Sequence, residues 1–208
     1  LIVIGSGTGL DVAVAAATNG LKTAVIEKGP LGGTCLNRGC SPSKMLIHSA
    51  DLANAINNSG TFGIHVTGVT IDFPSIVKRV TDDVDSESME IERSLMVSEN
   101  PKLYKSQGRF VGLKTLQVGD ETLRADRILL ATGTRASIPR VNGLLESGFI
   151  TSEEALRLNQ QPKALTILGG GYIAAELAHF FGALGTKVSI VQRGKYLVPN
   201  EDEEIAMN

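Results

Sequence analysis

The chain opens with a pattern of apolar and glycine positions that predicts a strand, a tight turn and a helix. Residues 1–4 are continuously apolar, as in a parallel strand buried on both faces. Residues 10–19 are small and mostly apolar, which suits a helix packed closely on a sheet, and Gly20 fits the helix stop. The stretch TAVIE at 23–27 predicts the returning strand. The first part of the chain is therefore predicted to be a β-α-β unit.

The same pattern recurs near the end of the sequence. A strand candidate at 164–168 leads into a glycine turn, a helix that stops at Gly185, and a strand that ends at Gln192 and Arg193. Two such units predict two nucleotide-binding domains built on one plan. We expect the first domain to span 1–150 and a partial second domain to span 151–208.

The middle of the chain predicts two helices followed by short strands. One helix is expected from Lys44 to about Asn58, and a second over 75–98, broken or loosened around 82–88. Strand candidates at 102–112, 115–119 and 122–126 are separated by turn residues, which favours a small antiparallel meander. The stretch RILLATG at 127–133 predicts another buried parallel strand. The predicted class is α/β, with a parallel sheet and an antiparallel meander.

Composition narrows the classes of partner. The sequence is 42% hydrophobic and 20% charged with a formal net charge of −2, which gives no reason to expect nucleic acid or an anionic membrane as a partner. No apolar run approaches the roughly 20 residues needed to span a bilayer. There is no signal-peptide pattern and no initiator Met, so the beginning looks trimmed. We expect a cytoplasmic protein.

The first glycine turn predicts a dinucleotide site. Gly5, Gly7 and Gly9 lie where a backbone must turn tightly and let a pyrophosphate approach a helix N-terminus. Glu27, at the end of the next strand, is placed to bind ribose hydroxyls. The usual third glycine of this fingerprint is replaced by Leu10. The turn and the placed acid together favour a dinucleotide over an ordinary α/β turn.

The second glycine turn predicts a different dinucleotide. Gly169 and Gly171 are present, with Ala174 at the third position, but no acid ends the following strand. Arg193 stands there instead, and a guanidinium accepts the 2′-phosphate of NADP that a carboxylate would repel. The alternative is that Arg193 is a solvated residue at a strand end.

The two cysteines, Cys35 and Cys40, suggest redox chemistry. Within one regular helix their Cα atoms would be about 7.5 Å apart, slightly too far for a disulfide, so a distorted turn is expected, and Pro42 favours one. A zinc site would need four ligands, and no second paired spacing of His or Cys exists. A structural staple closing so short a loop would contribute little stability. Redox use best explains their place directly after a β-α-β unit.

Three segments carry a resemblance to a known family. GGTCLNRGCSPSK at 32–44, RILLATGTRASIPR at 127–140 and the stretch 169–194 resemble the redox-active, second FAD-contacting and NAD(P)-binding segments of the class I pyridine nucleotide-disulfide oxidoreductases. That family includes dihydrolipoyl dehydrogenase, glutathione reductase, mycothione reductase and mercuric reductase. The resemblance implies a Rossmann-like FAD-binding domain followed by the start of a Rossmann-like NAD(P)-binding domain.

The resemblance also implies the roles of individual residues. Cys40 would be the cysteine nearest the flavin, which forms a charge-transfer thiolate on reduction, and Cys35 would attack the substrate disulfide. Lys44 would lie near the flavin ring, paired with Glu176, and these four are the expected catalytic residues. The expected FAD and NAD(P) contacts are Gly5, Ser6, Gly7, Thr8, Gly9, Glu27, Lys28, Gly33, Thr34, Cys35, Lys44, Gly108, Ala131, Thr132, Gly133, Gly169, Gly171, Tyr172, Ile173, Glu176 and Arg193.

The implied activity is transfer of electrons between NAD(P)H and a disulfide or dithiol through FAD and the cysteine pair. A dihydrolipoyl dehydrogenase-like enzyme is placed first. The alternatives are an NADPH-dependent reductase of small disulfides, of the glutathione or mycothione type, and a flavin-binding electron-transfer module without substrate exchange. The resemblance implies a small-molecule or lipoyl substrate and a homodimer.

Other positions do not follow the family or have no role in it. Arg38 and Ser41 stand where relatives commonly carry Val and Ile. Arg38 is expected either to act on a thiol or an anionic substrate, or to be a surface substitution. The family's acid–base His–Glu pair lies in a C-terminal domain outside 1–208, so we expect this stretch alone to bind FAD without full turnover. For His48, His65 and His179, packing or surface roles are expected.

Overall fold

A four-stranded parallel sheet forms around the first β-α-β unit. In the computed structural model, which describes residues 1–199 and 201–207, its order is β3-β2-β1-β7, with every neighbouring pair parallel. The helix α1 (Thr8–Thr18) connects β1 and β2, and Val3, Ala13 and Val25 form a fully buried cluster between helix and sheet. The first β-α-β unit is therefore confirmed. The strands are β1 (Ile2–Ile4), β2 (Ala24–Ile26), β3 (Lys102–Tyr104) and β7 (Ile128–Leu130).

The antiparallel meander is also present, but it begins later than expected. Its strands are β4 (Gly108–Gly112), β5 (Thr115–Val118) and β6 (Glu121–Arg124), each paired antiparallel with the next. The strand candidate at 102–112 is divided, because β3 joins the parallel sheet through β2 and only the second half joins the meander. The prediction of a buried strand at 127–133 was only partly right: β7 is parallel to β1, but Leu130 is 61% exposed.

The middle of the chain forms three α-helices, α2 (Gly33–Arg38), α3 (Cys40–Asn58) and α4 (Phe73–Met96). The prediction that the second long helix loosens around 82–88 was wrong, because α4 is continuous. Its buried residues Phe73, Val77, Val80 and Val84 recur every three or four positions. The acidic residues at 82, 83 and 85 share one helix with this apolar stripe.

The second β-α-β unit is confirmed as well. Strands β8 (Ala164–Leu168) and β9 (Lys187–Val191) are parallel and are connected by α6 (Tyr172–Ala183). Gly185 has a φ of +102° just after α6, as expected for a helix stop. Two short helices, α5 (Ser152–Ala155) and α7 (Glu203–Met207), flank this unit in the sequence.

The chain divides into two compact units. One consists of Leu1–Ser41 and Asp82–Pro139, and the other of Pro42–Thr81 together with the chain from Arg140 onward. The second unit has an aromatic core in which Phe73, Phe180 and Phe181 contact one another, with ring centroids 4.9 to 5.9 Å apart. A domain boundary at residue 150 stays a prediction. Among the described residues, no helix is both long enough and apolar enough to cross a membrane.

Candidate functional site

Three segments that were predicted separately meet around the first glycine turn. A Cβ atom on Gly5, which has a φ of +104°, would lie 2.0 Å from the carbonyl oxygen of Ala131. A Cβ on Gly33 (φ +67°) would lie 2.4 Å from the Cα of Gly7. A Cβ on Gly133 would lie 3.8 Å from Thr34 Oγ1. The turn after β1, the start of α2 and the segment after β7 are thus in backbone contact.

The close approach of α1 to the sheet occurs at Gly9. A Cβ there would lie 2.7 Å from the Cβ of Ala131 and 2.9 Å from Cγ1 of Val3. Leu10, which replaces the usual third glycine, is partly buried against the cluster that contains Val3. The loss of a glycine at position 10 is therefore accommodated, because Gly9 already permits the tight contact.

The carboxylate of Glu27 closes this turn. Its Oε2 accepts hydrogen bonds from the backbone N of Ser6 at 3.0 Å and from Ser6 Oγ at 2.9 Å, and its Oε1 accepts one from the N of Gly29 at 2.8 Å. Ser6 is buried, at 1% exposed. A carboxylate offers about four acceptor sites, so capacity remains for a further donor such as a ribose hydroxyl.

These residues fit a dinucleotide such as FAD. Gly7, the N-cap of α1, makes no side-chain capping bond, so among the described residues the first N–H groups of the helix have no side-chain partner at that cap. The glycines leave no room for side chains where the three segments meet. Thr8 and Lys28 are exposed beside this turn, and Gly108 begins β4 with its Cβ position 3.4 Å from Cγ2 of Ile26. Thr132 follows Ala131 in the third segment.

The two cysteines lie on either side of a break between helices. Cys35 belongs to α2, Cys40 begins α3, and both side chains are exposed. A Cβ on Gly39, between them, would lie 2.9 Å from the carbonyl oxygen of Thr34 and 3.3 Å from the Cα of Cys35. The chain therefore folds back on Cys35 just before Cys40. The expected distorted turn is confirmed, and Pro42 lies in the first turn of α3.

Lys44 and Glu176 form an ion pair within the second unit, and the predicted pairing is confirmed. Partial burial raises the pKa of Glu176, but hydrogen bonds from Lys44 and Ser43 and the charge of Lys44 outweigh it, so the net pKa lies below the usual 4.5. The carboxylate is thus held in its charged form.

The second glycine turn has the expected form, with one additional constraint. Gly169 has a φ of +109°, and Gly171 is the N-cap of α6. A Cβ on Gly170 would lie 2.8 Å from Cδ2 of Leu197, a contact that the sequence did not predict. Ala174 is buried, at 6% exposed. Tyr172, Ile173 and Arg193 are exposed, as residues that contact a ligand would need to be.

Sequence reasoning missed several polar residues. Asn37 and Ser88 are buried and hydrogen-bonded to the same backbone carbonyl, that of Leu31. Ser88 follows Val84 by four positions, so the helical spacing places it on the buried face of α4. That spacing could have predicted from the sequence that Ser88 is buried. His179, for which packing or a surface role was expected, is hydrogen-bonded through Nε2 to Asp51 Oδ1 at 2.7 Å.

Comparison with known proteins gives a consistent picture. The family model described as pyridine nucleotide-disulphide oxidoreductase matches residues 1–208. A mercuric reductase of Bacillus cereus is 35% identical over 99% of this chain and 33% of its own length. A dihydrolipoyl dehydrogenase of Chlamydia pneumoniae is 36% identical over 99% of this chain and 45% of its own length. The chain thus spans less than half the length of these relatives.

Solved structures agree on the fold. The HOCl-induced flavoprotein disulfide reductase RclA from Escherichia coli, solved as a Cu(II) complex, superimposes with a TM-score of 0.84 at 30% identity, covering 100% of this chain and 45% of that one. The α/β arrangement with a Rossmann-like FAD domain is therefore confirmed.

Proposed function

Because the chain belongs to the pyridine nucleotide-disulphide oxidoreductase family, we propose that it passes electrons between NAD(P)H and a disulfide or dithiol through FAD and the pair Cys35–Cys40. The observation that supports the proposal is the close approach of Gly39 to the backbone of Thr34 and Cys35. The space there is too small for a side chain at position 39. Thr34 in turn lies beside Gly133, in the segment after β7 that contacts the first glycine turn at Gly5. Redox-capable thiols and a dinucleotide cradle thus share one unit.

Each protein group has a defined task in this proposal. Bound FAD would supply the two-electron link between the nicotinamide and the cysteines. The glycine turn at Gly5 and Gly7 and the N-terminus of α1 would bind its pyrophosphate, and Glu27 its ribose. Lys44, held by Glu176, would place a positive charge near the flavin, and Arg193 would bind the 2′-phosphate of NADP.

The thiols would carry out the exchange step. With both cysteines reduced, the Cys35 thiolate attacks one sulfur of the substrate disulfide and a mixed disulfide forms. The other substrate sulfur becomes a thiol, which leaves if the substrate is a linear disulfide and stays attached if it is a cyclic lipoyl group. The Cys40 thiolate then attacks the Cys35 sulfur, which releases the second substrate thiol and forms the Cys35–Cys40 disulfide. One substrate disulfide is reduced to two thiols while one enzyme dithiol is oxidised. With a dithiol substrate the same steps run in reverse.

Among the candidate substrates, we favour a lipoyl group. It is supported by the identity with dihydrolipoyl dehydrogenases and by the CLN and PSK elements of the cysteine segment. An NADPH-dependent reductase of small disulfides is the second candidate, and the exposed Arg193 favours it. As part of the proposal the full-length protein is a homodimer in the cytoplasm.

The test is steady-state turnover of the full-length protein with NADH and NADPH against lipoamide, glutathione disulfide and Hg²⁺. Anaerobic reduction is expected to produce a long-wavelength band from a Cys40 thiolate beside the flavin, and Cys40→Ser is expected to abolish it. Reduction of the flavin without this band, and without turnover of any of the three, would instead support a flavin-binding electron-transfer module.

A further inference from the structure

A buried amide lies between the two cysteines. Asn37, on α2, is 8% exposed, and its Nδ2 donates to the carbonyl oxygen of Leu31 at 2.7 Å and to that of Gly33 at 2.9 Å. Both protons of the amide are therefore used. Its Oδ1 is buried and has no hydrogen-bond partner among the described residues. Burying an acceptor without a hydrogen bond lowers stability, so the two bonds donated by Nδ2 must offset that cost.

A second buried side chain binds the same carbonyl. Ser88, on α4 and 5% exposed, donates from Oγ to the carbonyl oxygen of Leu31 at 2.8 Å. Leu31 itself is fully buried. The carbonyl oxygen of Leu31 thus accepts two hydrogen bonds, one from α2, which carries Cys35, and one from α4. All these residues belong to the first unit. We call this arrangement of Asn37, Ser88 and the Leu31 carbonyl the Leu31 clamp.

The Leu31 clamp holds the entry to α2. The two bonds of Asn37 span Gly32 and Gly33, whose φ angles are +94° and +67°. A helix of six residues has little stability of its own, so its position depends on such tertiary contacts. At its other end Gly39 holds the backbone against Thr34. Cys35 therefore stands on a short helix that is fastened on both sides.

We propose that Asn37 and Ser88 are positioning residues that set the equilibrium between the Cys35–Cys40 disulfide and its dithiol. This inference rests on the proposed function, because it assumes that the pair forms a reversible disulfide. In this proposal the Leu31 clamp keeps Cys35 within reach of Cys40, which raises the effective concentration of the two sulfurs toward each other and favours the disulfide. When the Leu31 clamp is loosened, α2 is freer to move and the dithiol is favoured.

The experiment measures this equilibrium in the full chain. The protein is equilibrated anaerobically in mixtures of reduced and oxidised glutathione, so that the Cys35–Cys40 disulfide and two glutathione molecules exchange with the dithiol and one glutathione disulfide. The samples are acid-quenched, alkylated and analysed by mass spectrometry. Ser88→Ala and Asn37→Ala are expected to shift the equilibrium toward the dithiol about three- to tenfold, and a tenfold shift corresponds to about 30 mV.

Two controls separate positioning from general damage. Ser86→Ala, at an exposed position of the same helix, is expected to leave the equilibrium unchanged, and Ser88→Thr, which keeps a hydroxyl, is expected to restore most of it. Circular dichroism checks that each variant is folded. If Asn37→Ala does not fold, Ser88→Ala alone tests the positioning role.

The outcomes distinguish the two proposals. If the wild-type cysteines never form a disulfide with each other, the proposed function fails and the role of the Leu31 clamp fails with it. If the wild-type pair titrates but folded Ser88→Ala titrates within twofold of it, the positioning role alone is overturned.

Discussion

Lys44 on α3 is bonded to Glu176 on α6, 132 residues further along the chain. The same two helices are joined a second time, by the hydrogen bond between Asp51 Oδ1 and His179 Nε2 at 2.7 Å. Both pairs lie in the second unit and are partly exposed to solvent. These contacts connect the helix that begins with Cys40 to the helix that begins at the second glycine turn.

Replacement of Glu176 by Gln is expected to lower stability at neutral pH but not at acid pH. The pKa of Glu176 is depressed in the folded chain, so its contribution is present above the usual 4.5 and is lost as the pH falls through the folded pKa. Because the Lys44 side chain is 62% exposed, solvent screening limits the pair to about 0.5 kcal/mol, or roughly 1–2 °C in Tm. Thermal melts from pH 7 to pH 3 measure the difference. Glu99→Gln, an exposed glutamate of the other unit, is the control, and a difference that persists unchanged at pH 3 would contradict this account.

Gly33→Ala is expected to destabilise the chain and weaken FAD binding, because its backbone has a φ of +67° and a Cβ would lie 2.4 Å from the Cα of Gly7. We expect a loss of more than about 2 kcal/mol, measured by denaturant unfolding, together with a higher Kd for FAD. Gly63→Ala is matched for backbone strain, since its φ is +76°, but a Cβ there meets no described atom within 4 Å. A loss of about 1 kcal/mol in stability and unchanged FAD binding are therefore expected. Equal losses in the two variants would argue against the close packing at Gly33.

Arg38 is expected to favour substrates with a negative charge. It lies three residues after Cys35 on α2, both are exposed, and side chains at this spacing share a helix face. In the full-length protein, Arg38→Ala is expected to raise KM for lipoate, which carries a carboxylate, by about fivefold, the effect of roughly 1 kcal/mol. For uncharged lipoamide, KM should remain unchanged, and kcat should change little for either substrate. Arg38→Lys keeps the charge and should behave as wild type. Equal effects of Arg38→Ala on KM for lipoate and for lipoamide would show that Arg38 does not interact with the substrate's charge.

Arg193 is expected to select NADPH. Loss of a charged hydrogen bond to a phosphate is worth about 1.5–3 kcal/mol, so Arg193→Ala should lower kcat/KM for NADPH by about 10- to 100-fold. The value for NADH, which lacks the 2′-phosphate, should change less than about twofold. Lys187→Ala, at the other end of β9, serves as the control for loss of positive charge. Parallel losses with both nucleotides would point to a structural role for Arg193.

The sequence alone was sufficient for the two β-α-β units, because a buried strand, a glycine turn and a closely packed helix are each visible over a few residues. The pairing of Lys44 with Glu176, by contrast, came from resemblance to a family, since no local pattern connects residues so far apart. The break between the cysteines could also be anticipated, because Pro42 belongs in a first turn.

Other features of the fold could not be predicted from the sequence, because they depend on which surfaces pack together in the tertiary structure. The continuity of α4 through its acidic stretch follows from the apolar stripe that includes Val80 and Val84. The division of 102–112 between two sheets follows from the pairing of β3 with β2. The Leu31 carbonyl binds Ser88, 57 residues away, only because α4 packs where it does. Hydrogen bonds of this kind are selected by the need to satisfy buried polar groups, and that need arises only once the tertiary structure has excluded water.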